Sequence, residues 1–175
     1  MPNVLEQLNT ALSEAIRSKF TFLDAVVDFD EIAHGGNIKD PAVYVDFEDI
    51  DPGQDDGTER EAFDVTISLY YIQGKHDSPV GVHAMAAALM RFIRRNTWGL
   101  NLVNESPVCL MPTGISSSAA GFADDKPGMT ARAVTFTQTV YIGDDIWNGG
   151  TFPTEVYLAR SPEIGTDHEN DYEAL

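Results

Sequence analysis

The chain has 175 residues, 43% of them hydrophobic, and its nine Phe, six Tyr and two Trp supply enough bulk for a core and exclude wholesale disorder. Against 28 acidic residues stand only 11 basic ones, a formal charge of -17, which argues against a surface that grips nucleic acid or an anionic membrane, because holding phosphate takes Lys and Arg. Cys109 is the only cysteine, so neither an intrachain disulfide nor a Cys-based zinc site can form.

The opening MPNVLEQLNTALSEAIRSKF carries Leu5, Leu8, Leu12 and Ile16 at the i, i+3, i+4 spacing of one helix face. It predicts a helix over residues 3–18 rather than a signal peptide. The segment TFLDAVVDFDEI follows as a strand of irregular pattern. In AVYVDFEDI, Val43, Val45 and Phe47 alternate with Tyr44, Asp46 and Glu48. In AFDVTISLYYI, Phe63, Val65, Ile67, Leu69 and Tyr71 alternate with Asp64, Thr66, Ser68 and Tyr70. Alternation with period two marks antiparallel strands buried on one side, so the pair is expected as a long hairpin with an acidic tip at DIDPGQDDGTERE.

Helical spacing returns in DSPVGVHAMAAALMRFIRRN, where Val82, Met85, Ala86, Leu89, Phe92 and Ile93 build one apolar face. Asp77 or Ser78 suits the N-cap and Pro79 the first turn. Its apolar run around VGVHAMAAALM is too short to cross a bilayer, so a cytoplasmic folding compartment and no membrane partner are expected. Two more strands are predicted, near SPVCLM and across ARAVTFTQTVYI, separated by PTGISSSAAGFADDKPGM, which reads as a mobile loop. The remainder supplies one short strand at Glu155–Ala159 and then turns polar. Helices that interrupt an antiparallel sheet, rather than alternating with its strands, indicate α+β. The expected organisation is a single α+β domain over residues 1–160, a mainly antiparallel sheet flanked by two main helices, followed by a polar acidic tail over residues 161–175.

The acidic tip, with Asp49, Asp51, Asp55, Asp56 and Glu59, fails the test for an EF-hand. Counting from Asp51 puts Gly53 third and Ala62 twelfth; counting from Asp49 puts Arg60 twelfth. A solvated loop is expected there, whose tip tolerates charge reversal at Asp55 and Asp56. His34, His76, His83 and His168 are scattered without an HExxH and read as surface residues, His83 on the polar side of its helix. Cys109 sits in an apolar strand as a small hydrophobe rather than an activated thiolate. No GxSxG, GxxxxGK[ST] or GxGxxG occurs, so neither an esterase elbow nor a nucleotide cradle is present, and the chain reads as a non-enzyme without a cofactor.

Arg91, Arg94 and Arg95 form the basic cluster. Either they complement the dipole at a helix C-terminus, or they make a docking patch for an acidic partner, including another copy of this chain. The late run SPEIGTDHENDY gathers Asp167, His168 and Glu169. It is open to reading as a metal or acid/base cluster, the basis of a metal-dependent hydrolase or cation-binding module, or as a surface segment that touches a neighbour.

The opening helix, the AVYVDFEDI…AFDVTISLYYI hairpin, VGVHAMAAALMRFIRRNTWGLNL, TARAVTFTQTVYIGDDIW and the closing EVYLARSPEIGTDHENDYEAL together resemble a tail terminator (tail-completion) protein of contractile-tailed, Mu-like phages. The resemblance implies a structural virion protein, assembled in the host cytoplasm, that forms a hexameric ring at the head-proximal end of the tail. Such a ring caps tube and sheath, offers a joining surface to the head connector and other neck proteins, and lets DNA pass without binding it. It also implies that the SPEIGTDHENDY segment is an assembly contact. Tyr44 and Tyr70 on the hairpin are expected to offer a contact face.

Overall fold

The computed structural model describes residues 4–30, 38–57, 60–74, 79–100, 108–120, 128–143, 157–158 and 173–174. The chain forms two compact units, Met1–Asp145 and Ile146–Leu175. The first contains α1 (Val4–Lys19), β1 (Ala25–Asp28), β2 (Ala42–Pro52), β3 (Glu61–Gly74), α2 (Pro79–Ile93), β4 (Thr113–Ala119) and β5 (Met129–Ile142). Five strands make one sheet in the order β1-β2-β3-β5-β4, with only the β1–β2 pairing parallel. The unit is α+β, as the order of helical and alternating segments predicts.

Leu8, Leu12 and Ile16 of α1 and Val82, Met85, Ala86, Leu89 and Ile93 of α2 pack with Val43, Val45, Val65, Ile67, Leu69, Val134, Phe136 and Val140 of the sheet. Both helices therefore bury their apolar stripes against the same sheet face, here called the helix face. The other face is covered at one end by a smaller cluster of Ala25, Ala42, Tyr44 and Ile72, with Val27, Phe29, Ile38, Tyr70, Met129 and Ala131 around it. Toward the opposite end it is polar: Asp64, Thr66 and Ser68 of β3 stand beside Thr139, Thr137 and Thr135 of β5. That half is the open face.

A register shift divides β2 between Phe47 and Asp49. Before it, Val43, Val45 and Phe47 face the helices; after it, Asp49 and Asp51 pair with Thr66 and Asp64, so their side chains join the open face. Had Glu48 taken a partner of its own, unbroken alternation from Phe47 would have turned both aspartates toward the helices. Glu48 accepts a hydrogen bond from the Tyr70 hydroxyl at 2.8 Å.

Two expectations change. Of the SPVCLM segment, the described residues 108–111 give no strand, only an isolated bridge between Cys109 and Val140. The strand lies further on, at Thr113–Ala119, inside the stretch expected as a mobile loop. Its TGISSSA sequence has no apolar alternation because an edge strand buries neither face deeply; its pairing with β5 supplies the order. Tyr44 is 2% exposed and its hydroxyl accepts from the Lys39 backbone N–H, so it offers no surface for a partner. Of the second unit, the structure describes β6 (Tyr157–Leu158) paired antiparallel with β7 (Glu173–Ala174). The expected boundary after residue 160, the N-cap candidates Asp77 and Ser78, and His34, His76 and His168 lie outside the described residues.

Candidate functional site

The clearest surface feature of the first unit is a groove of about 860 Å³ between the end of α2 and the beginning of β4. Ala87, Met90, Arg91, Arg94 and Arg95 form one wall, and Met111, Pro112, Thr113, Gly114 and Ile115 form the other. The three arginines predicted as a cluster are thus brought together, all exposed. Among the described residues none of them makes an ion pair. No acidic residue occurs in α2 to neutralise them, while a helix C-terminus itself attracts positive charge. Met111 is 60% exposed at the groove's mouth, an apolar patch beside three cations.

The groove's two walls are tied together from beneath by Gln138. Its position on β5 falls between Phe136 and Val140, so alternation points it at the core, where it is fully buried. It accepts from the Trp98 indole N–H at 2.9 Å and donates to the Leu110 carbonyl. Trp98 belongs to the turn after α2, holds φ at 57°, and packs edge-on against Phe92. A left-handed backbone at a bulky residue is costly, and it is held here by burial and by the Trp98 N–H bond to Asn96 Oδ1. The Cys109 thiol donates to the Thr97 carbonyl at 3.3 Å, and burial pushes it up to about 11, so it is an inert core group. Gln138 therefore joins the arginine-bearing turn to the segment that carries Met111. Sequence reading passed over it, although an amide at an inward position of a strand is itself a signal that a buried polar partner awaits it.

The acidic residues of the hairpin separate into two groups. Asp49 and Asp51 lie exposed on β2, flanking Ile50, which is 51% exposed. At the tip, Asp55 Oδ1 accepts from the Gly57 N–H, whereas Asp56 pairs with Arg60 at 2.5 Å. Arg60 is only 6% exposed and lies 4.7 Å from the centre of the Tyr141 ring, so the tip is anchored by an ion pair and a cation–π contact. Nothing in the residue spacing announced that Arg60 turns inward. Asp46 sits near Glu48 and Asp30; burial first, then those two carboxylates, push its pKa up. Glu59, Asp167, His168 and Glu169 lie outside the described residues. His83 is exposed, as expected.

Among the described residues, no three of His, Cys, Asp and Glu gather where they could hold a metal ion. No helix among them is long and apolar enough to cross a membrane. No family model matches this chain, and no curated protein matches it. Among solved structures it is similar, at 12% identity and a TM-score of 0.32, to the PVC sheath/tube terminator of an extracellular contractile injection system in its extended state. The alignment covers 92% of this chain and 65% of that one, so this chain spans less than two thirds of its length. A superposition this loose leaves the functional reading to rest on the chain's own residues.

Proposed function

We propose that the chain is a structural assembly protein, a tail terminator whose copies close into a ring, hexameric by its sequence resemblance, that caps the tail tube and sheath. The ring stands at the head-proximal end of the tail, offers the head connector a joining surface and lets DNA through. It works by surface closure and not by catalysis. One observation carries this reading beyond the resemblance: the open sheet face. Asp49, Asp51 and Asp64 stand there with Thr66, Thr135, Thr137 and Thr139, and no Lys or Arg is interleaved with them along these pairings. A wall of carboxylates and hydroxyls stays hydrated and repels phosphate, which suits a surface that a polyanion must slide past. The Thr139 hydroxyl donates to Asp64 at 2.5 Å, fixing part of that wall.

The test is capping. Terminator-deficient tail tubes mixed with purified protein should stop growing and acquire a ring at one end. Tubes that elongate unchanged, with no ring, would sink the proposal. Calorimetry with calcium, magnesium, manganese and zinc separates it from the metal-dependent hydrolase or cation-binding alternative, which places a stoichiometric tight site at Asp167, His168 and Glu169.

A further inference from the structure

Among the described residues, the last strand of the sheet, β4, has a neighbour on one side only. Positive charge gathers around that edge. Arg91, Arg94 and Arg95 stand across the groove from residues 113–115, and the Arg132 Nε–H of β5 donates to the Ser117 hydroxyl at 2.9 Å. All of them lie on the helix side of β4: Ile115, which lines the groove, packs against the helix-face core, and Arg132 pairs with Tyr71 of that same core. Among the described residues none of the four arginines makes an ion pair, and no acidic residue lines the groove. In a chain of charge -17, these cations are concentrated at one strand edge.

An edge strand presents backbone donors and acceptors in a row, and such an edge is either blocked or used. The TGISSSA sequence of β4 carries neither Pro nor charge to block it. Its guards are the arginines beside it, and a guard of one sign selects as well as excludes. Two β4 edges joined with their helices on one side would bring the cations of both copies together. The β2 of a second copy fits no better, because Asp49 and Asp51 lie on the open face, away from the arginines. Nucleic acid meets the repulsion of the whole acidic chain as it approaches and gains nothing from exposed Met111 at the groove's mouth. The chemistry that complements this edge is an extended segment of a different protein, carrying carboxylates and an apolar side chain together.

We infer that β4 receives an acidic partner segment as a sixth strand of the sheet. The pairing of β4 with β5 shifts register between Thr113 and Ser116, so the unbroken edge runs over residues 116–119. The segment pairs its backbone there and continues past the shift into the groove. Side chains of a strand alternate, so every second one falls on the helix side. On that side one carboxylate meets Arg132, an apolar residue covers Met111, and a further carboxylate meets Arg91 and Arg94. The pattern recognised is an apolar residue with acidic residues two positions to either side. Backbone bonds give the affinity and the alternate side chains the specificity, as in other strand additions. Gln138, which links Trp98 to the Leu110 carbonyl, holds both walls of the groove in place before the segment arrives. The site goes beyond the capping reading and does not depend on it.

The test is fluorescence anisotropy of a labelled peptide, Glu-Thr-Glu-Thr-Leu-Thr-Glu-Thr-Glu, titrated with the full chain. Saturable one-to-one binding that weakens as salt rises is expected. Arg91→Glu with Arg94→Glu in one variant, and Met111→Asp in another, should each weaken it about tenfold or more. Both variants should keep the wild-type urea midpoint, because the altered side chains are exposed, which separates lost binding from lost fold. N-methylation of one alternate set of peptide amides should abolish binding and methylation of the other set should spare it, since only alternate amides of a strand face its neighbour. Absence of saturable binding overturns the inference, as does binding that the arginine reversal leaves untouched. Equal loss from both methylated sets overturns the sixth strand. Oligothymidylate of equal charge that binds as tightly overturns the peptide in favour of any polyanion. Self-association in sedimentation that the arginine reversal abolishes overturns the foreign partner in favour of a second copy.

Discussion

Asp46 is held on the sheet beside two other carboxylates, and its raised pKa has a definite sign for stability. The folded state binds its proton more tightly than the unfolded chain, so the stabilising contribution is complete below the ordinary value of 3.8 and is lost as pH rises through the folded-state value. Asp46→Asn should therefore raise the urea midpoint at neutral pH, with the gain vanishing below the ordinary value; an unchanged midpoint at neutral pH would refute the assignment. Gln138 works through neutral hydrogen bonds instead. Replacing it with Met leaves the buried Trp98 indole and the Leu110 carbonyl without their partner, at a cost of about 1–3 kcal/mol for each group. Denaturant titration reads that loss, and altered Trp98 fluorescence in the folded state would show the turn after α2 loosening. The hairpin tip is less uniform than its composition suggests. Asp55→Lys should be nearly neutral in the same titration, whereas Asp56→Lys places a second cation against the buried Arg60 and should be clearly destabilising. The ion pair at Asp56 narrows the expectation that reversing both leaves the fold intact to Asp55 alone.

At the scale of elements, both helices and the β2–β3 hairpin were legible because their apolar residues repeat with the period of the structure they form. Leu8, Leu12 and Ile16, and later Leu89 and Ile93, are fully buried where helical spacing puts them. Ile67 and Leu69 are fully buried where strand alternation puts them. Leu89→Ala or Ile67→Ala should accordingly cost about 2–5 kcal/mol in unfolding free energy, as large-to-small changes in packed cores do. The fourth strand was illegible for the opposite reason. Ser116, Ser117 and Ser118 carry no hydrophobic period, and what orders them is the neighbour: Ser117 donates to the Ala133 carbonyl and accepts from Arg132. The groove shared that fate. Three arginines close in sequence were easy to find, but the wall opposite them comes from residues about twenty positions later, which only the sheet brings alongside. The register shift at Glu48 was equally hidden, since Asp46 through Asp51 alternates plausibly in either phase.

The whole molecule combines a first unit that carries its own two-helix, five-strand core with a second unit beginning at Ile146. Truncation after Arg160 should leave the cooperative unfolding of the first unit intact while impairing tube capping, because the removed SPEIGTDHENDY segment is proposed as a contact. Unfolding curves and capping assays on the same preparation would check both halves of that statement. The bulge in β2 has a consequence at this scale too. Across it the strand changes character, its first half buried on both faces and its second half exposed on both. Deleting Glu48 would place Asp49 directly after Phe47 and restore simple alternation, leaving Asp49 and Asp51 on the open face and Ile50 on the helix face while removing the carboxylate that accepts from Tyr70. The extra residue thus adds a carboxylate tie to Tyr70 without changing which side chains the second half of the strand shows to either face.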